Sequence, residues 1–274
     1  MSTSQHVTTQ TLTGRTALVT GSGSGIGAGV AAEFAAAGAH VVVNDYSENA
    51  AQATVDDLTS RGYTATAAAG DITDPDTVAR IIASCEALSA SGGLDILVNN
   101  AGITGKQHVD DLDLATWNRV LAVNLTAPFA LTLAALPGMR AQGRGRIINI
   151  ASIAGIRVSV LGGAAYTASK SGVLGLTRHL ASELATDGIT ANAILPGVTL
   201  TPMVEQATDA ATRAKVAASV PVGRMATPAD IGRLAAWFAA DTADNITGTA
   251  VPVDGGMTVL PGDYTEYRAT RGES

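Results

Sequence analysis

The sequence is short of cysteine, of charge and of long apolar runs, and each shortage excludes something. Cys85 is the one cysteine among 274 residues, so neither an internal disulfide nor a multi-thiolate metal site can form, and nothing points to an oxidising compartment. The cytoplasm is the expected location. Charged residues make up 15% and hydrophobic residues 46%, a balance that excludes a disordered or collagen-like chain. Seventeen basic residues face 24 acidic ones for a net charge of −7, which repels a phosphate-rich partner, and nucleic acid is not expected. No run approaches about 18 uninterrupted apolar residues, so no membrane partner is expected. Residues 1–13 lack the basic start and apolar core of a secretory signal and read as a flexible polar N-terminus. His6, His40, His108 and His179 have no ligand-type spacing, and no metal is expected.

Glycine, in contrast, is abundant: 30 of 274 residues, about 11% against an average near 7%. Short β-branched runs alternate with stretches of helix length. The runs are TALVT at 16–20, VVVN at 41–44, DILVN at 95–99, RIINI at 146–150 and TANAIL at 190–195. Strands apolar throughout and separated by helices imply an α/β fold, a parallel sheet covered on both faces by right-handed crossovers. No linker, repeat or charge discontinuity divides the chain, which reads as one domain over residues 14–257 with a tail at 258–274. The segment 198–222, after a strand's carboxyl end and bracketed by Thr201-Pro202 and Val220-Pro221, reads as a lid.

The first strand runs into Gly21-Ser22-Gly23-Ser24-Gly25-Ile26-Gly27, and a helix follows at once. Glycines let a backbone approach a pyrophosphate, and a helix N-terminus offers free N–H groups with a partial positive charge. Gly21, Ser24, Gly25, Ile26 and Gly27 are therefore candidate cofactor-binding residues. Asp45 ends the second strand 18 residues beyond Gly27, where an acid can accept both hydroxyls of an adenosine ribose. Its charge opposes a 2′-phosphate, and no basic residue stands nearby to bind one. NAD is expected in preference to NADP.

In order, TGSGSGIG at 20–27, Asp71 in GDIT, NNAG at 99–102, Asn124 in VNLTAPF, Ser152 in NIASIAG, YTASK at 166–170, PGVTLTP at 196–202 and VDGG at 253–256 resemble the short-chain dehydrogenase/reductase family. The match covers residues 13–257. The resemblance implies a doubly wound, seven-stranded Rossmann-like domain and a homotetramer, with a homodimer as the alternative. It also implies that Asp71 and Ile72 flank the adenine and that Asn100, Ala101 and Gly102 line the ribose. Pro196 and Gly197 would end the sixth strand beside the nicotinamide, with Val198 and Thr201 meeting its carboxamide.

Tyr166 and Lys170, four apart on a helix, project from one face. A phenol is a poor base at neutral pH, but a neighbouring ammonium and a nicotinamide cation both favour its phenolate, which can then exchange a proton with a substrate oxygen. Ser152, just past the strand RIINI, can hydrogen-bond that oxygen; its alternative is to cap a turn. By resemblance, Lys170 also holds the nicotinamide ribose and Asn124 bends its helix and holds a water for a proton relay. A core asparagine bonded to backbone is the other reading of Asn124.

Ile103, Val158, Val160, Leu161 and Met203 could present an apolar substrate wall. The expected activity is interconversion of a small secondary alcohol and its ketone. A 3-oxoacyl-[acyl-carrier-protein] reductase is the alternative, and a non-catalytic dinucleotide-binding scaffold or sensor is a second.

Overall fold

The five apolar runs fall in β1, β2, β4, β5 and β6 of the strands β1 Thr16–Thr20, β2 His40–Asn44, β3 Ala65–Ala67, β4 Ile96–Asn99, β5 Gly145–Ile150, β6 Ile189–Pro196 and β7 Ala250–Val253. In this computed structural model, which describes residues 11–105, 107–159, 162–259 and 264–270, the seven strands make one sheet in the order β3-β2-β1-β4-β5-β6-β7. Every pairing is parallel. The chain steps outward from β1 to β3, then returns to build the other half from β4, so a crevice opens where the winding reverses. The expected doubly wound Rossmann-like architecture is present.

Successive strand residues point to opposite faces, and this divides the interior into two cores. Ala17, Val19, Val41 and Val43 face a layer containing α1 (Gly25–Ala36), α2 (Glu48–Ser60) and α9 (Pro228–Ala239). Leu18, Val42, Leu97 and Ile147 face α3 (Pro75–Leu88), α5 (Ala127–Gln142) and α6 (Gly163–Leu184). The chain joins the first core before the expected boundary at residue 14: Leu12 is fully buried, and its N–H donates to the Ala37 carbonyl.

Helix starts are written in the sequence. Ser47, Asp74 and Thr227 cap α2, α3 and α9 through their side chains, and Asp113 does so for α4 (Leu114–Leu121). Such caps satisfy amide groups that the helix itself leaves open. Helix α1 differs, because Ser24 at its N-cap position makes no side-chain capping bond. A π-helical turn, Ala122–Thr126, joins α4 to α5. The resulting rod, Leu114–Gln142, is long and apolar enough by length and composition to cross a membrane, yet half of its most apolar stretch is buried within the fold.

Beyond β6, the segment expected as a lid contains two short helices, α7 (Pro202–Ala207) and α8 (Ala210–Ala218). Both are too short to carry a clear helical periodicity in the sequence. In the C-terminal tail, α10 (Tyr264–Thr270) carries Tyr264 and Tyr267 with ring centroids 6.1 Å apart.

Candidate active site

The carboxyl ends of β1, β2, β4 and β5 open into a cleft of ≈ 830 Å³. One end is built by the glycine turn. Gly21 and Gly25 adopt φ +61° and +58°, the left-handed region in which other residues are strained. A Cβ on Gly27 would stand 2.3 Å from the Gly21 carbonyl oxygen and 2.5 Å from Asn100 Nδ2, so the turn tolerates no side chain there. Asn100 Nδ2 donates to the Thr20 and Gly21 carbonyls at 2.8 and 3.0 Å, tying β4 to the turn. Together with the uncapped N-terminus of α1, this is a backbone cradle suited to a diphosphate. Gly21, Ser24, Gly25, Ile26 and Gly27 all line it.

Asp45 sits against the same turn. Its carboxylate accepts from the N–H of Gly23 and of Ser47, both at 3.0 Å, which fixes its direction at the cleft wall. Asp71 and Ile72 line the cleft as well, although β3 ends at Ala67 and both lie in the following loop rather than at the strand's end. Thr73 donates to Asp71 through its N–H and hydroxyl, and Arg119 pairs with it at 3.3 Å. These bonds and the guanidinium outweigh burial and hold the Asp71 carboxyl below the usual carboxylate range.

At the inner end stand Tyr166 and Lys170 on α6, beside Ala101 and Gly102. Lys170 is 4% exposed, donates to the Ile150 carbonyl at 2.8 Å, and lies 5.7 Å from the Tyr166 ring centroid. Burial lowers its ammonium to about 8. Burial also raises the Tyr166 phenol, and a hydrogen bond with Ser152 works against that rise. Desolvation outweighs that bond, so the phenol is held above its ordinary value. Ser152 also caps a turn, its hydroxyl accepting from the Ala154 N–H at 3.1 Å.

Asn124 is buried behind this group in the π-helical turn. Its Oδ1 accepts from the Ile103 N–H at 2.8 Å, and its Nδ2 donates to the Ile103 carbonyl and to Ser169 Oγ. The carboxamide is thus engaged with backbone and a buried hydroxyl, as in the second reading of this residue. Pro196 ends β6, Gly197 and Val198 follow it, and the Gly197 N–H donates to the Val253 carbonyl. Thr201 caps α7 and lines the cleft, its methyl 3.6 Å from where a Cβ on Gly25 would be.

Of the apolar wall, Ile103 and Met203 line the cleft. Val158 does not, and stands 74% exposed; Val160 and Leu161 lie outside the described residues. Sequence reasoning missed Tyr46, Thr104 and Arg119 among the lining side chains. Arg119 lies five residues before Asn124 on the same helical rod, but no local pattern signals its contact with Asp71, 48 residues away. Among the described residues no cluster of His, Cys, Asp and Glu could hold a metal ion.

Residues 21–258 match the family model described as enoyl-(acyl carrier protein) reductase. The D-beta-hydroxybutyrate dehydrogenase of Rhizobium meliloti (strain 1021) is 38% identical over 257 residues, covering 89% of this chain and 98% of the relative. A gluconate 5-dehydrogenase from Burkholderia cenocepacia J2315, solved with NADP and tartrate, superposes with a TM-score of 0.83 at 34% identity, over 92% of this chain and 98% of that one. A 3-oxoacyl-[acyl-carrier protein] reductase from Brucella melitensis ATCC 23457 gives 0.84 at 33% identity, over 90% and 92%. The chain belongs to the short-chain dehydrogenase/reductase family, as an NAD(P)-binding oxidoreductase that acts on hydroxyl and keto groups.

Proposed function

We propose that this oxidoreductase uses NAD in preference to NADP and interconverts a small secondary alcohol and its ketone, with Tyr166 as the group that moves the proton. The observation that carries this reading is the shared cleft: Tyr166 and Lys170 at one end, Asp45 and the glycine turn at the other. NAD(P), when bound, supplies or accepts the hydride. The glycine turn holds the diphosphate, with Asp71 and Ile72 at the adenine. Asn100, Ala101 and Gly102 line the ribose, and Pro196, Gly197, Val198 and Thr201 border the nicotinamide.

Tyr166 donates its phenolic proton to the carbonyl oxygen in reduction and takes it back from the alcohol in oxidation. Ser152, already bonded to the phenol, orients the same substrate oxygen and stabilises charge that develops on it. Lys170 holds a positive charge beneath the phenol and would hold a ribose hydroxyl of the cofactor. Asn124 acts as a brace, fixing Ile103 and the loop after β4 against α6. The segment 198–222 closes over the nicotinamide end, and Ile103 and Met203 give the substrate an apolar contact.

Tyr166→Phe removes the proton and leaves the ring, so it is expected to keep NADH binding, read by fluorescence titration, while lowering kcat at least about 100-fold. Turnover near wild type would overturn the assignment. For cofactor choice, kcat/KM for NAD and NADP is compared on one secondary alcohol. NAD is expected to win, and Asp45→Ala to narrow the ratio by about tenfold or more by removing the charge that opposes a 2′-phosphate. An NADP preference in the wild type would show that Asp45 does not face the ribose. The similarity to the Brucella melitensis 3-oxoacyl-[acyl-carrier protein] reductase favours a second reading with the same chemistry. A higher kcat/KM on a 3-oxoacyl thioester than on small ketones would select it.

A further inference from the structure

At the opposite, amino-terminal edge of the sheet, a second cavity of ≈ 500 Å³ lies between the starts of β5 and β6 and the loop leading to β7. Its polar lining includes Arg144, Arg146, Thr190, Asp244, Asn245 and Thr247. Nothing in the reaction proposed above uses it.

The charges around this cavity are unequally buried. Asp95 is buried to 1%, and its carboxylate is approached by two guanidiniums, Arg144 in a direct hydrogen bond and Arg15 at 3.7 Å. Arg146, whose side chain is 7% exposed, lies 3.7 Å from Asp241, which is 69% exposed. Asp241 accepts its direct bond at 2.8 Å from Arg15 instead. Two guanidiniums therefore share the buried Asp95, and Arg146 is left with the more distant Asp241, while Asp241 and Asp244 stand in solvent, where water screens them. Arg146 donates from Nη1 only to the carbonyl of its neighbour Gly145. Among the described residues, Nε of both Arg144 and Arg146 is buried without an acceptor. Buried donors of charged groups ordinarily find partners, and leaving them without is costly.

We propose that this cavity is a binding site for a small oxyanion, a phosphate or a carboxylate group, held by Arg144 and Arg146. A planar guanidinium presents paired N–H groups that match either anion, and the partial burial of Arg146 strengthens such a bond relative to water. Thr190, Asn245 and Thr247 add polar groups around it. Asp244 is the one carboxylate in the lining among the described residues, and it limits affinity by repelling the ligand. The site lies at the other edge of the sheet from the cofactor cleft, so occupancy stabilises the fold without competing for the reaction site.

The test is calorimetric titration of inorganic phosphate into the protein already saturated with NADH or NADPH, whichever binds more tightly. Saturation removes the glycine turn as an alternative phosphate site. Acetate is titrated in parallel, and sodium chloride at matched ionic strength is the control. Phosphate or acetate is expected to bind at one site per chain, with the stronger of the two naming the head group. Arg144→Gln should weaken binding about tenfold by removing a charge-assisted bond. Exposed Asp244→Asn, which leaves the arginines and the fold intact, should tighten it about threefold by removing a repulsion. Heats no larger than those of chloride would overturn the proposal, as would an affinity unchanged in Asp244→Asn.

Discussion

At the scale of single residues, the site is governed by the cost of burying charge. Lys170 has its ammonium lowered from 10.5 to about 8 by burial alone, because one carbonyl bond does not replace the hydration of an amine. The consequence for stability has a definite sign. Between pH 8 and 10.5 the unfolded chain keeps the Lys170 proton while the folded chain has largely released it, so stability rises with pH across that window. Chemical denaturation at pH 8 and pH 10 should show wild type gaining about 2 kcal/mol more than Lys170→Met. Parallel changes in the two proteins would mean that Lys170 is not desolvated as described. The upper limit is set at pH 10 because Tyr166, raised by burial, contributes with the opposite sign above it.

Single residues also mark where the sequence could and could not be read. Asp45, Tyr166 and Lys170 were legible because each sits at a fixed offset from a turn or a helix repeat. Arg119 was not, because its contact with Asp71 spans 48 residues of sequence and depends on the docking of α4 beside the loop after β3. The direction of the Tyr166 shift was also hidden, since local spacing reports the ammonium nearby but not the depth of burial. For Asn124, the motif located the residue in the right turn, whereas its partner Ile103 became visible only with the fold.

At the scale of elements, strands and crossovers were legible because an all-buried parallel strand is apolar along its whole length. The least legible strands were the edges, β3 and β7. β3 has three residues, all partly exposed, and β7 alternates exposed and half-buried positions, so neither carries the continuous apolar signal of the centre. The segment after β6 was legible as an interruption but not as two helices, because six and nine residues give under three turns of periodicity. The uncapped start of α1 shows the reverse case. The missing capping bond at Ser24 is a local imperfection that makes sense once the cradle beside it is seen as a place for an anion.

At the scale of the whole molecule, the two halves of the chain are joined across one face of the sheet by α1 and α9, about 200 residues apart. The contact depends on glycine. A Cβ on Gly29 would lie 2.4 Å from Pro228 Cβ and 2.7 Å from its carbonyl carbon, and one on Gly232 would lie 2.8 Å from the Gly29 carbonyl oxygen. Backbone lies against backbone, so neither helix can yield by turning a side chain. Gly29→Ala should therefore separate the helices and destabilise the fold by about 1–3 kcal/mol, despite the better helix propensity of alanine. Gly175, also within a helix but with nothing within 4 Å of an added Cβ, provides the opposite sign: Gly175→Ala should stabilise by about 0.5–1 kcal/mol. Because α1 begins at the glycine turn, Gly29→Ala should also weaken NADH binding, whereas Gly175→Ala should not. Thermal denaturation and fluorescence titration of both variants check the pair. Equal stability of the two would show that the α1–α9 contact is looser than these distances require.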